Sequence, residues 1–181
     1  MAARTFKQAR AKALKSRKRE GRVLHLINRP SEGIHTPVAK LVFDVDQGIL
    51  GDRWSETAWM RLSDGRPDPR VQVSLTNAQV MACFADTHAE GVFACGDNLY
   101  TDLSLSETSL PVGCFISVGS AVLQVSDIPN DACTKFAQRF GAESLHFVRQ
   151  PENAPLRLRG IFCQIVTGGE AAIGDLVKRL P

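Results

Sequence analysis

The stretch DIPNDACTKFAQRFG, Asp127 to Gly141, sets a single cysteine where a turn-rich segment gives way to a helical one. With Asp131 as N-cap, Cys133 falls at the second position of the predicted helix. There its sulfur faces free backbone N–H groups and the positive end of the helix dipole. Lys135 and Arg139 follow on the same short helix. These features favour a thiolate, the form of cysteine that attacks electrophiles and binds soft metals. Cys133 also shares a helical stripe with Phe136 and Phe140, so a packing thiol accounts for the pattern equally well.

A second candidate is GILGDRW, Gly48 to Trp54, in which two close glycines precede Asp52 and Arg53. It reads as a strand-to-loop turn presenting Arg53, whose forked guanidinium suits phosphate or carboxylate. Gly-Asp recurs at Gly96-Asp97 and Gly174-Asp175, where ordinary turns are the plain reading. Asn98 either bonds a ligand or holds its own turn. The four histidines, His25, His35, His88 and His146, share no ligand spacing, so no protein-only metal site is expected. G-x-S-x-G, the P-loop and G-x-G-x-x-G before a helix are all absent. Hydrolase, nucleotidase and dehydrogenase readings therefore have no support.

The elements that must position these residues are mostly strands. RVLHLINR, VAKLVFDVD, VQVSLT, CFISVG, AVLQVSD, LHFV and GIFCQIV are short, rich in Val, Ile, Leu and Phe, and closely spaced between turn residues. VGSAV reads as a hairpin with Gly119 free to take positive φ. Only two long segments read as helix, Asn77 to Ala89 behind an Asn cap and the cysteine segment at 131–141. The loop SDGRPDPR is polar and is expected at the surface. Many strands with few helices predict a mainly β fold, a closed or nearly closed β-barrel, which removes exposed sheet edges.

The 181 residues suit one domain behind an appended tail. Residues 1–21 hold eight basic side chains against one acid, whereas the rest holds 14 against 18. The division expected is a basic, flexible and at most partly helical tail over 1–21, dispensable for folding, and a barrel over 22–181. Basic runs bind nucleic-acid phosphates non-specifically, and an Arg-rich N-terminus also resembles an organelle transit peptide. Five cysteines, odd in number and without C-x-x-C, indicate neither disulfide framework nor zinc ribbon. A reducing, cytoplasmic setting is expected. No apolar run is long enough to span a bilayer, and the first residues have no apolar core of the kind a secretory signal requires.

The order of motifs then narrows the reading. GILGDRW, RVQVSLTNAQV, GVFACGDNLYTDLSL, LPVGCFISVGSAVLQVS, the cysteine segment and RLRGIFCQIVTGGEAAIGDLVKRL together resemble the molybdenum cofactor sulfurase C-terminal (MOSC) domain family, over about Arg22 to Leu180. The resemblance implies a β-barrel with one characteristic cysteine, matched here by Cys133. It implies that Cys133 coordinates the molybdenum of a molybdopterin cofactor or carries a sulfane sulfur, with a sulfur donor or redox partner protein. Arg53, Ser74 and Asn98 lie in the motifs implied to form the anionic ligand's site. The implied activities are sulfur transfer or reduction of N-hydroxylated compounds, and the alternative is a non-catalytic binding module for a cofactor, nucleic acid or protein. The chain departs from the family pattern at Ala132 (commonly Pro), Trp54 (commonly His) and Asp97 (commonly Glu). The resemblance tips the balance towards a reactive Cys133, with the other four cysteines left to packing.

Overall fold

A computed structural model describes residues 2–85, 88 and 90–181. In chain order the elements are α1 (Ala2–Lys15), β1 (Glu20–Asn28), β2 (Thr36–Val38), β3 (Lys40–Asp44), β4 (Gly48–Ile49), α2 (Trp54–Thr57), β5 (Val73–Asn77) and α3 (Ala78–Phe84). There follow β6 (Leu99–Thr101), β7 (Phe115–Val118), β8 (Ala121–Val125), α4 (Thr134–Phe140), α5 (Ala142–Val148), β9 (Ile161–Thr167), β10 (Gly169–Ala172) and β11 (Leu176–Arg179).

Seven strands close a barrel in the order β11-β7-β8-β9-β5-β6-β1, with β2 beside β1 and the seam made by β1 against β11. Glu20 faces Lys178 there, and Gly21 faces Val177. All these pairings are antiparallel except β5 with β6. A three-stranded sheet, β10-β3-β4, completes the β structure. The hairpin between β7 and β8 turns at Gly119, whose φ is +58°. A Cβ there would stand 2.2 Å from the Glu170 carbonyl oxygen, so only glycine fits.

Two cores result. Inside the barrel, Val23, Leu26, Val73, Leu75, Leu99, Leu123 and Ile165 pack together. Outside it, Ile27, Met81, Phe84, Tyr100 and Phe136 form a second core beneath the helices. A bulge between Val23 and His25 lets β1 serve both. It shifts the alternation, so that Leu26 faces inward and Ile27 outward. Every residue of β5 is buried, because its outer face is roofed by the helical layer. Its outward polar residues therefore need protein partners.

Three expectations change. LHFV, read as a strand, lies inside α5; its apolar side chains serve a helix that joins the outer core through Val148, Leu145 and Phe147. The basic segment, read as a solvated and partly helical extension, is helical over Ala2–Lys15 and packs on the body, with Ala9 and Ala13 buried. Phe6 stacks on Phe147 with ring centroids 4.6 Å apart. The polar loop 63–70 is exposed only in part, since Asp68 is buried as the cap of a short 3-10 turn and paired with Arg70. The helix capped by Asn77 runs to Phe84, and residues 86, 87 and 89 of the expected span lie outside the described residues. Among the described residues no helix is long and apolar enough to cross a membrane.

Candidate functional site

Cys133 is the only exposed cysteine of the five. Cys95 and Cys163 are buried in the outer and inner cores, and Cys83 and Cys114 pack against them. Burial pushes the thiols of Cys95, Cys114 and Cys163 up, away from the thiolate. Cys133 belongs to neither core, so it does not fill space.

Its local geometry differs from the expected one. Cys133 is itself the N-cap of α4, extended at φ −140° and ψ 179°, and its side chain makes no cap hydrogen bond. The helix starts two residues later than an Asp131 cap would require, because Ala132 takes a left-handed φ of +69°. Proline, fixed near φ −65°, cannot adopt that conformation. The family's common Pro-Cys pair therefore requires another backbone path. Arg149, after α5, holds the turn. Its Nε donates to the Asp131 carbonyl at 3.0 Å and its Nη2 to the Ala132 carbonyl at 2.9 Å.

Cys133 lines a cleft of about 640 Å³. Arg29, Arg53, Lys135 and Arg159 bring cations to it, Glu32, Asp97 and Asp131 bring carboxylates, and Trp59 and Phe162 supply an aromatic wall. Three of the cations are already paired: Arg29 with Asp52 at 2.8 Å, Arg159 with Asp97 at 2.6 Å, and Lys135 with Glu32. Lys135 holds the Glu32 carboxyl below its usual range. Arg53 forms no ion pair among the described residues, and its guanidinium donates only to Thr57 Oγ1, at 3.4 Å. Of the cleft's cations, it is the one free to take an anion.

The GILGDRW motif works through both of its charged residues. Gly48, at φ +80°, lies directly under the Trp54 ring, where a Cβ would come within 2.6 Å. Asp52 then turns inward as a buried hub. It accepts from Arg29 Nε and Nη2, from the Trp54 backbone N–H and from Asn98 Nδ2. Arg53 turns outward to the cleft.

Of the four residues singled out from sequence, Arg53, Ser74 and Cys133 line this one cleft. Asn98 lies behind it, wholly buried. Asn98 Oδ1 accepts from the Ser74 N–H and hydroxyl, and the Asn98 N–H donates to Ser74 Oγ. Ser74 Oγ also accepts from Arg29 Nη1 at 3.3 Å. Its one donor and two acceptor sites are thus filled by protein. Ser74 and Asn98 therefore act on the cleft by fixing Arg29 and Asp52. Sequence reasoning missed Arg29, Asp52 and Arg159, whose partners lie 23 or 62 residues away. Asp97 carried a signal, the Gly-Asp pair, and its contact with the Cys95 thiol, 2.7 Å away, is local, but its contact with Arg159 is tertiary.

Among the described residues no three His, Cys, Asp or Glu side chains converge to hold a metal. Cys133 would therefore be the lone soft donor to a metal brought in with its own ligands.

The family model of the MOSC domain matches residues 65–178. No curated protein sequence matches the chain. Among solved structures, the YuaD protein from Bacillus subtilis is similar at 21% identity and a TM-score of 0.61, over 88% of this chain and 95% of its own. YiiM from Escherichia coli is similar at 16% identity and 0.57, over 88% and 70%. YiiM from Geobacillus stearothermophilus is similar at 14% and 0.62, over 89% and 75%. At these identities the likeness is one of fold.

Proposed function

The chain belongs to the MOSC domain family, and on that footing we propose that the cleft beside Cys133 binds a molybdopterin-type cofactor. Cys133 is either its protein ligand to molybdenum or the carrier of a sulfane sulfur. The observation that carries the reading is the pairing of the one exposed thiol with Arg53, the cleft's uncommitted cation. The donor set fits such a group. A cysteine sulfur suits a soft metal or a persulfide, and a guanidinium outside any ion pair suits a phosphate. Bound there, the group would supply redox chemistry at the metal or a transferable sulfur.

The chain's own residues bind and orient. Arg53 takes the terminal phosphate. Arg29, held by Asp52 and Ser74, adds positive potential from the wall without moving. Trp59 and Phe162, rings 5.9 Å apart, keep water off one side. Arg149 aims the Cys133 backbone by holding the left-handed turn before it. The reaction class is sulfur transfer or reduction of an N-hydroxylated compound.

The test compares wild type, Cys133→Ser and Arg53→Ala after purification from a host that makes the cofactor. Molybdenum is measured by mass spectrometry, alongside site-resolved alkylation of the native protein. Cys133 is expected to label before the other four cysteines, and both variants to lose bound molybdenum or transferred sulfur while keeping the fold. If Cys133→Ser retains both and Cys133 labels only on unfolding, the cysteine has no chemical role. The non-catalytic binding module then replaces this reading.

A further inference from the structure

A second depression, of about 730 Å³, lies at the barrel seam, away from Cys133. It is lined by Lys18 and Arg19, which lead into β1, and by Lys178 and Arg179 of β11, with Thr108, Ser109, Leu180 and Pro181 beside them. No acidic side chain lines it. All four cations are exposed, and none forms an ion pair among the described residues. Only Arg179 has a side-chain partner, the Ser109 carbonyl at 3.3 Å.

The scaffold under these charges is fixed. The Arg17 N–H donates to the Asp102 carbonyl, the Ser104 N–H to the Arg17 carbonyl, and the Arg179 N–H to the Arg19 carbonyl. The nearest acids are spoken for or outside the groove. Asp102 pairs with Arg17 at 2.9 Å, and Glu20 stands opposite Lys178 in the strand register. Helix α1 extends the field, because its last turn carries Lys12 and Lys15, both exposed. Lys15 and Lys18 are three positions apart, so their Cα atoms lie within about 11 Å. Charges this close together, left unpaired on a rigid frame, repel one another and hold a standing positive potential.

We propose that this seam groove, continued by the outer face of α1, binds the phosphate backbone of duplex nucleic acid without reading its sequence. The structure favours that partner over the other polyanions. A lipid surface would need a broad apolar face to insert, and most of that of α1 is taken up: Ala9 and Ala13 are buried, Phe6 packs on Phe147, and Leu14 alone stands exposed. An acidic protein would need an aromatic anchor of the kind that dominates protein interfaces, and none lines the groove. Single strands are held largely by stacking bases on aromatic side chains, which are missing here as well. What remains is four cations with two hydroxyl-bearing neighbours and a small aliphatic edge of Leu180 and Pro181, and such cations and hydroxyls position a protein on phosphates without reading bases.

The experiment is fluorescence anisotropy of the full chain with a labelled 20-base-pair duplex of arbitrary sequence, titrated at several salt concentrations. If four cations each neutralise one phosphate, the log–log salt slope is about −3.6. Affinity then falls on the order of 100-fold between 50 and 200 mM salt. The charge reversal Lys18→Glu/Arg19→Glu/Lys178→Glu is expected to weaken binding at least 10-fold. Should it fail to fold, Lys18→Ala/Lys178→Ala is the replacement, with a loss of several-fold. Cys133→Ser should bind the duplex as wild type does, so the outcome is separable from that of the cofactor reading. No binding at 50 mM salt, equal binding by the variants, or tighter binding to anionic vesicles or poly-glutamate each overturns the proposal.

Discussion

The Cys133 cleft and the seam groove both gather arginine and lysine, but they treat those charges in opposite ways. In the cleft, three of four cations are tied to carboxylates, and Asp52 joins Arg29, Trp54 and Asn98 into one buried network. In the groove the cations stand without carboxylate partners among the described residues, on backbone-anchored strand ends. A paired cation fixes geometry, and an unpaired one supplies field. The cleft is thus built to hold a shaped ligand against a thiol, with one free guanidinium to receive an anion. The groove is built to attract charge whatever its shape.

Removing the cleft's hub should make it resemble the groove. Asp52→Ala strands the partly buried Arg29 guanidinium and the buried Asn98 amide together. The expected loss is about 3–5 kcal/mol in denaturant unfolding, the range for breaking a buried ion pair. A loss below about 1 kcal/mol would mean that the network is ornamental.

Deleting residues 1–15 strips the outer cations from the groove side and leaves the cleft intact. It also uncovers the surface that Phe6, Ala9 and Ala13 occupy. Roughly 3 kcal/mol of stability should go, a fall of about 6–12 °C in melting temperature for a protein of this size. An unchanged melting temperature would restore the reading of a dispensable tail.

Ala132 sharpens the comparison from the cleft side, since nothing in the groove depends on a left-handed residue. Ala132→Gly should stabilise by up to about 1 kcal/mol, because glycine bears no penalty at φ +69°. Ala132→Pro cannot keep that turn. It should cost about 2 kcal/mol and change the rate at which Cys133 is alkylated. Equal alkylation rates in all three proteins would show that the turn does not aim the sulfur.

The smallest effect expected is on pH dependence. Burial lowers the His25 pKa. For His35, burial and then Arg139 do so, with Arg29 adding to them and Glu90 and Asp97 opposing. The unfolded histidines titrate near 6.5 and the folded ones below it, so between those values the unfolded chain binds more protons. Their contribution is therefore complete above about pH 6.5 and is lost as pH falls towards the folded pKa. His35→Asn should flatten the fall in stability measured from pH 7 to 5.5, and an unchanged slope would exclude His35 as its source.

What could be read in advance divides along the same physical line. The barrel was legible because short apolar runs between Gly, Pro, Asn and Asp are local signals, and β1, β3, β5, β7, β8 and β9 all fall on them. The packing of α1 was not, because its inner face is made of alanines and one phenylalanine, too little apolar bulk to stand out among the helix's five cations. LHFV misled because a four-residue apolar run fits strand and helix alike, and tertiary packing on Phe6 decides. At the site, Cys133 and Arg53 announced themselves by type and neighbours. Arg29 and Arg159 could not, since an arginine acquires its role only when the fold brings a distant carboxylate to it. Asn98 was legible as special but not as a support.

The seam between β1 and β11 also governs how the chain reaches this form. Glu20 meets Lys178 across it, so the first strand waits for nearly the last before the cylinder shuts. Loop closure over that span is entropically costly, and chains dominated by such distant pairings fold in milliseconds to seconds rather than microseconds. During synthesis, the inner faces of the early strands stay open to water until β11 leaves the ribosome. Over that interval the half-built cylinder offers its bare edges to any other unfinished chain nearby.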